Sequence, residues 1–320
     1  MAETQVRVGI IGCGVHAREV LLPAAQQAGM EFAAVCDLDR RLAQRVSRRF
    51  GAFRAYQDIR SMIDEMDLDA VLVCGPPEMH AEAAAIALQH RCHLWTEMPA
   101  APTAEEAERL AGLADAQGLI AQPGLMLRYA PACMRLRELV AGEEFGAIRQ
   151  IEVAWWPPEQ HAHDDAPLFD LPHALDLVRF IGGEVTGLSV ARAGSDGSLA
   201  ALLALESGAV ATVSFASPAR CPRERIVVAS EDAVAIAEDR RTITLRHAAR
   251  EDSSVWSPDR AGAGRLSGIL PEMEAFAAAI AGEGPRGASL HDAARAMRLG
   301  EMVRAGLNEG LRWNGTGADG

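Results

Sequence analysis

The sequence predicts an α/β chain in two parts: a doubly wound parallel sheet over residues 1–122, then an α+β domain over 123–320 built on an antiparallel sheet with helices on one side. Three observations carry this. Up to residue 122, short apolar runs alternate with helical patterns, as expected for parallel strands covered on both faces. The first run, Val6-Arg-Val-Gly-Ile-Ile11, enters Gly12-Cys-Gly14-Val-His-Ala17 and a helix, and the second ends on Asp37. After Pro123 the texture changes to strands at hairpin spacing, joined by turn residues such as Glu206-Ser-Gly208 and Ser230-Glu-Asp232.

In order, the pattern predicts strands near 5–11, 31–36, 70–74, 93–96 and 119–122, with helices near 15–29, 39–50, 79–90 and 103–117 between them. The second part opens with a helix near 131–141 and the strand Ile148–Trp156, followed by a long polar loop and a short helix at 172–181. Strands follow at Leu199–Leu205, Ala209–Ser217, Arg225–Ala229, Ala233–Ala237 and Thr242–Arg246. Helices near 270–281 and 290–306 close the chain, and Asn314–Gly320 reads as a frayed tail.

The glycine turn is a dinucleotide fingerprint in its required context, between a strand and a helix. Gly12 permits the tight turn, Gly14 lets backbone amides approach a pyrophosphate, and Ala17 is small enough for helix and strand to pack. Val15 and His16 complete this cofactor-binding turn, and the helix then offers unpaired N–H groups and the positive end of its dipole. Asp37 lies 23 residues beyond Gly14 at a strand end, where a carboxylate accepts ribose hydroxyls, so NAD is the expected cofactor. Arg40 and Arg41 just past it keep NADP open, since either can meet a 2′-phosphate.

Composition sets bounds. The net charge of −13 argues against a nucleic-acid partner, because phosphate neutralisation needs a basic face. Six cysteines at 13, 36, 74, 92, 133 and 221 form no Cys-x-x-Cys pair, which fits buried reduced thiols in a cytoplasmic protein. No apolar run reaches the ~18 residues needed to span a bilayer, and Met-Ala-Glu-Thr-Gln shows no signal-peptide pattern, so no membrane association is expected.

Three further constellations carry chemistry. Cys74-Gly-Pro-Pro-Glu-Met-His80 and Trp95-Thr-Glu97-Met98-Pro99 end successive strands of the first sheet, on its ligand-facing edge. In Asp170-Leu-Pro-His173-Ala-Leu-Asp176, a helix starting at Pro172 makes Asp170 its cap and sets His173 one turn from Asp176. A histidine backed by a carboxylate is a competent general acid or base; a capped helix whose histidine satisfies a buried acid is the alternative.

The order of motifs resembles the glucose-fructose oxidoreductase, inositol dehydrogenase and MocA (Gfo/Idh/MocA) family. It runs from the glycine loop through Gly75-Pro-Pro-x-x-His80, Glu97-x-Pro99 and Gly124-x-x-x-Arg128-Tyr129-x-Pro131 to His173-x-x-Asp176. The resemblance implies a Rossmann domain joined to an open-faced, mostly antiparallel sheet that mediates homodimers or homotetramers. It implies nicotinamide-dependent oxidation or reduction of a sugar, cyclitol or related small molecule. By position, Gly12, Gly14, Asp37, Pro76, His80 and Glu97, with neighbouring Met98, would contact the cofactor. His173 would move the hydroxyl proton, with Asp176 a nearby site carboxylate.

Two departures stand out. Met98 occupies the place of the family's usual lysine between glutamate and proline, and Asp170 precedes His173 by three residues where four is usual. Without that lysine, proton handling falls to His173, Tyr129 or the loop Glu159-Gln-His161-Ala-His163-Asp164-Asp165. His161, His163, Asp164 and Asp165 are also ligand types for zinc, but their close spacing in a polar loop favours substrate contact or solvation, so no metal is expected. Arg128 either orients an oxygen-rich substrate or pairs with a structural carboxylate. The functions to weigh are a net oxidoreductase acting on a polyhydroxylated or amino-substituted small molecule, a transient-redox lyase or glycosidase or an imine reductase, and a cofactor-binding sensor that has lost turnover.

Overall fold

The computed structural model describes residues 5–156, 166–193, 198–215, 223–248, 253–258, 262–309 and 312–314. The chain divides into two compact units, one of residues 1–126 with 267–297 and the other of 127–266 with 298–320. The chain passes between the units three times, at 126/127, 266/267 and 297/298, where the sequence pattern predicts a single boundary at 122/123: Ser267–Met297 returns to the first unit, because its apolar faces complete that unit's core.

The first unit holds β1 (Arg7–Ile11), α1 (Leu22–Gln27), β2 (Glu31–Cys36), α2 (Arg40–Phe50), β3 (Arg54–Tyr56), α3 (Ile59–Glu65), β4 (Ala70–Val73), α4 (Pro77–Gln89), β5 (His93–Thr96), α5 (Ala104–Gln117) and β6 (Ala121–Pro123). A π-helical turn, Ala17–Leu21, leads into α1. The six strands are parallel in the order β3-β2-β1-β4-β5-β6, and the chain reverses direction of travel across the sheet between β1 and β4. β3 and α3 are unforeseen, as three- and seven-residue elements too short to show a period.

Nearly continuous apolar runs, such as Ala70-Val-Leu-Val73 with every residue buried, suit strands covered on both sides. On one face Val8, Ile10, Val35 and Leu72 pack with Leu22, Val46 and Phe50, and with Met273 and Phe276 from the later part of the chain. On the other, Ile11, Val71, Val73 and Leu94 meet Met62, Ile86 and Leu110, closed by Leu290 and Met297. Burying a side chain of this kind contributes roughly 1.5–3 kcal/mol, so the returning segment is part of the core rather than an appendage.

The second unit contains α6 (Pro131–Ala141), β7 (Ile148–Trp156), α7 (Ala166–Gly182), β8 (Val185–Ala193), β9 (Ser198–Leu205), β10 (Val210–Phe215), β11 (Arg223–Ser230), β12 (Ala233–Glu238), β13 (Thr242–His247) and β14 (Ser254–Trp256). A short α8 (Ala263–Ser267) precedes α9 (Ile269–Ile280) of the first unit. Then α10 (Leu290–Glu309) passes from the first unit into the second, and β15 (Arg312–Asn314) ends the described chain.

The nine strands lie in the order β14-β13-β12-β11-β7-β10-β9-β8-β15, antiparallel except for the β7–β10 pair. On β9, Leu199, Ala201, Leu203 and Leu205 are buried while Ala200, Leu202 and Ala204 are exposed, the alternation of a sheet with one covered face. The covered face packs Ile151, Val213 and Val228 against Leu136 of α6 and Leu175 and Val178 of α7.

Three expectations are corrected. α7 begins at Ala166, not 172, so Pro172 sits inside the helix and Asp170 is a helical residue rather than its cap. β8 is absent from the reading of the pattern because Thr186-Gly-Leu-Ser189 lacks an apolar run. Asn314, assigned to the tail, is in β15 and pairs with Gly187. His161, His163 and the rest of 157–165 lie outside the described residues. Among the described residues no helix is long and apolar enough to cross a membrane, and no cluster of three metal-ligating side chains occurs.

Candidate functional site

The carboxyl ends of β1, β2 and β4 open onto a cleft of about 580 Å³ lined by Gly12, Gly14, Asp37, Leu38, Pro76 and Met79, among others. It lies at the switch point of the sheet, where a doubly wound fold leaves room for a ligand. Gly12 has a φ of +90°, and a Cβ there would stand 2.0 Å from the Cys74 carbonyl oxygen, so only glycine closes this turn. A Cβ on Gly14 would meet nothing within 4 Å, so the turn presents open backbone to the cleft.

Asp37 fixes the turn from β2. Its Oδ2 accepts the Cys13 N–H at 2.8 Å and its Oδ1 the Asp39 N–H at 2.9 Å. Each carboxylate oxygen has a further lone pair for a hydroxyl. Asp39 in turn caps α2 by accepting from the Arg41 and Leu42 amides, and Arg40 and Arg41 are exposed beyond it. Leu38, Gln57, Ile59 and Glu82 are unforeseen in this cleft; Gln57 and Ile59 belong to the β3–α3 segment that the pattern does not show, and Gln57 donates to the Leu38 carbonyl at 3.0 Å.

His80 has a different role from the expected cofactor contact. It is 1% exposed, accepts the Gly75 N–H on Nε2 at 2.8 Å and donates from Nδ1 to the Pro99 carbonyl at 2.7 Å. Both ring nitrogens are thus spent on backbone, tying the end of β4 to the cis Met98–Pro99 segment. An amide must donate, so the ring is neutral with its proton on Nδ1, and burial holds its pKa below the ordinary imidazole value.

Beside the turn, Val15 is 69% exposed, and His16 Nε2 lies 2.7 Å from Glu97 Oε1. That hydrogen bond raises the His16 pKa above its ordinary value against the opposing effect of burial. Glu97 Oε2 accepts the Met98 N–H at 3.0 Å. Met98 is half-buried and packs on the apolar core of the α3–α5 face.

In the second unit, Arg128 donates to both Asp176 oxygens at 2.7 Å, and Arg179 adds a contact to Oδ1 at 3.3 Å and a fork to Glu184 at 3.0 and 2.7 Å. The Asp176 side chain is 2% exposed, so its pairing with the arginines is buried while the chain of charges runs out to half-exposed Glu184, and Arg128 takes the structural pairing. His173, one turn earlier, is half-buried and its buried Nδ1 has no hydrogen-bond partner, so Asp176 does not back it. Tyr129 is half-buried beside Arg128 in a single 3₁₀ turn, Met126–Tyr129.

A glycine turn, a helix start and a strand-terminal aspartate around one switch-point cleft define a dinucleotide-binding domain of Rossmann type. Residues 6–125 match the model of the Gfo/Idh/MocA family, described as an oxidoreductase family with an NAD-binding Rossmann fold. The likeness to that family is established over this segment, which carries the glycine turn, Asp37 and the strand ends of the cleft.

Among curated relatives, it is 32% identical over 154 residues to dTDP-3,4-didehydro-2,6-dideoxy-alpha-D-glucose 3-reductase of Saccharopolyspora spinosa, covering 48% of this chain and 46% of the relative. It is 25% identical to the rhizopine catabolism protein MocA of Rhizobium meliloti over 96% of this chain and 97% of that protein. The chain spans about half the length of the first curated relatives it matches. The fold is that of a levoglucosan dehydrogenase solved with NADH and levoglucosan, with a TM-score of 0.87, 17% identity and coverage of 98% of this chain and 100% of the other.

Proposed function

We propose that this chain is a cytoplasmic NAD-dependent oxidoreductase, a homodimer or homotetramer, that transfers a hydride between nicotinamide and a carbon of a sugar, cyclitol or related polyhydroxylated small molecule. The observation that carries this is the switch-point cleft, with Gly12 closed against Cys74, Gly14 open, and Asp37 holding the turn. The substrate class is supported by the curated relative that is a 3-reductase of a dTDP-linked glucose derivative.

When bound, the nicotinamide supplies the carbon that exchanges a hydride with the substrate. The first-turn amides after Gly14 would receive the pyrophosphate, Asp37 a ribose, and Glu97 the second ribose. His173 would take or give the hydroxyl proton. Its Nδ1 is buried without a hydrogen-bond partner, so exchange with a ligand would run through Nε2. Asp176, already held by two arginines, is assigned a positioning role on the helix that carries His173. Asp170 and Tyr129 remain candidate participants, and His161 and His163 candidate substrate contacts. NAD is preferred over NADP because a 2′-phosphate would meet the Asp37 carboxylate, with Arg40 and Arg41 the only compensation nearby in sequence.

The partly exposed apolar residues on the uncovered sheet face, including Leu202 and Val210, support self-association. Five cysteines are free and buried, which supports a reducing compartment. The test is titration with NADH and NADPH by nicotinamide fluorescence, then NAD with a panel of sugars, cyclitols and amino sugars. Reduced nicotinamide is expected with at least one sugar or cyclitol, and His173→Ala should abolish turnover while sparing NADH binding. Binding without net reduction on any substrate would favour the transient-redox or sensor roles instead.

A further inference from the structure

An ion pair crosses the edge where the sheet leaves its cleft. β1 and β5 flank β4, His16 follows the glycine turn after β1, and Glu97 is the residue after β5. Their 2.7 Å contact therefore bridges the carboxyl end of β4, over the segment that holds Cys74 and Gly75. Glu97 is the anchored member. Its side chain is 17% exposed, Oε2 accepts the Met98 N–H, and that oxygen fills the space a Cβ on Gly124 would need, 2.8 Å away. The His16 side chain is 51% exposed, in the first helical turn beside Gly14.

The other charges around the pair are accounted for. Arg18 on the same helix donates to the Gly14 carbonyl at 3.2 Å. Cys74, which senses Glu97 from the end of β4, is pushed up to about 12 chiefly by burial, as is Cys13 in the turn, so both thiols stay neutral. Asp37 is committed to the Cys13 and Asp39 amides. His80 on α4 is neutral, and Glu78 and Glu82 on that helix line the cleft. Glu97 thus decides the protonation of His16, and its hydrogen bond favours the imidazolium.

We propose that His16, held by Glu97, is the proton-linked cation of the dinucleotide site, so that dinucleotide affinity is high while His16 carries its proton and falls when the proton leaves. A diphosphate drawn to the amides after Gly14 arrives beside this ring, and a cation there attracts it as a helix N-terminus alone does not. The proposal rests on the cofactor reading above.

The probe is NADH, with its dissociation constant followed by nicotinamide fluorescence from pH 6 to 9 at fixed ionic strength. The wild-type protein should lose about five- to tenfold in affinity as pH rises through the His16 titration, the size of one near-surface charge contact. His16→Gln should be flat at the weaker level, and His16→Lys flat at the tighter one. In Glu97→Gln the midpoint should move to lower pH, whatever that change does to affinity itself. A wild-type pH break that persists in His16→Gln overturns the proposal, as does tighter binding by His16→Gln at every pH, which would make the pair a barrier. No NADH binding by the wild-type protein at any pH sinks the cofactor reading instead.

Discussion

The carboxyl edge of the first sheet and helix α7 of the second unit are both built around partly or fully buried polar side chains, but they spend them differently. At the sheet edge, Asp37, His80 and Glu97 each bind backbone amides, so three side chains set the path of a turn made of main chain. On α7, Asp176 is clamped between the guanidiniums of Arg128 and Arg179, with Glu184 completing the chain. The first arrangement depends on shape and amide donors, with the His16–Glu97 pair beside it. The second depends on compensation of the Asp176 and Arg179 charges, which have lost their water.

The largest break should come from the second region. Asp176→Ala leaves Arg179, whose side chain is 3% exposed, and Arg128 facing a desolvated gap. Removing one member of a buried pair costs about 3–5 kcal/mol, because the partner's charge stays behind. Urea unfolding should show that loss in the midpoint, with Arg128→Ala smaller since Arg128 is nearer solvent. A loss of less than about 1 kcal/mol would mean that the pair is effectively solvated, at the level of a surface ion pair.

Next comes the glycine turn. Gly12→Ala forces a Cβ into the Cys74 carbonyl at a left-handed φ, and both the strain and the clash must be relieved by moving backbone. The expected cost is roughly 2–4 kcal/mol, with NADH binding lost even where the protein still folds. Gly14→Ala is the sharper control, since its Cβ meets no protein atom: stability should hold, and NADH binding should weaken.

This difference in material also explains what was legible in the sequence. Main-chain architecture writes itself into residue type, so the tight turn at Gly12 and the strand-end place of Asp37 could be read from spacing, and β2, β5, α6 and β7 fall where their patterns place them. Side-chain pairing does not. His173 and Asp176 at helical spacing suggest a couple, yet the carboxylate goes to Arg128, 48 residues away in the chain. Pro172 and Asp170 read as a helix start because proline and aspartate favour that place, but the helix begins at Ala166 and takes Pro172 into its interior. His80 shows the limit from the other side: its position was evident, whereas its use of both nitrogens on backbone required the fold.

His80 gives the third test, through pH. Its folded pKa is lowered by burial, so as pH falls the unfolded chain takes up the proton first. Stability is therefore complete above the ordinary imidazole value of 6.5 and is lost as pH falls from there toward the lowered folded value. The slope approaches about 1.4 kcal/mol per pH unit within that window. His80→Leu removes the acceptor for the Gly75 amide and should be less stable at pH 8, but with a shallower loss of melting temperature toward pH 5.5. Equal slopes in the two proteins would mean that the ring does not stay neutral on acidification.

The smallest effect belongs to His291, which sharpens the contrast by placing an ionic contact within the first unit. Its two nitrogens reach Glu108 at 2.8 Å and Asp115 at 2.9 Å, and the hydrogen bond to Asp115 leads in raising its pKa above the ordinary value. The sign is opposite to that of His80. Stability from this contact is fully present below the ordinary imidazole value and is lost as pH rises through the raised one. With a side chain 32% exposed, facing carboxylates that are themselves half open to water, the contribution should be only a few tenths of a kcal/mol. His291→Ala should therefore lower the melting temperature slightly at pH 6 and leave it unchanged at pH 9. A loss at pH 9 equal to that at pH 6 would make the ring a packing element against α5 instead of a charge contact, and the first unit would then owe nothing measurable to ion pairing at this position.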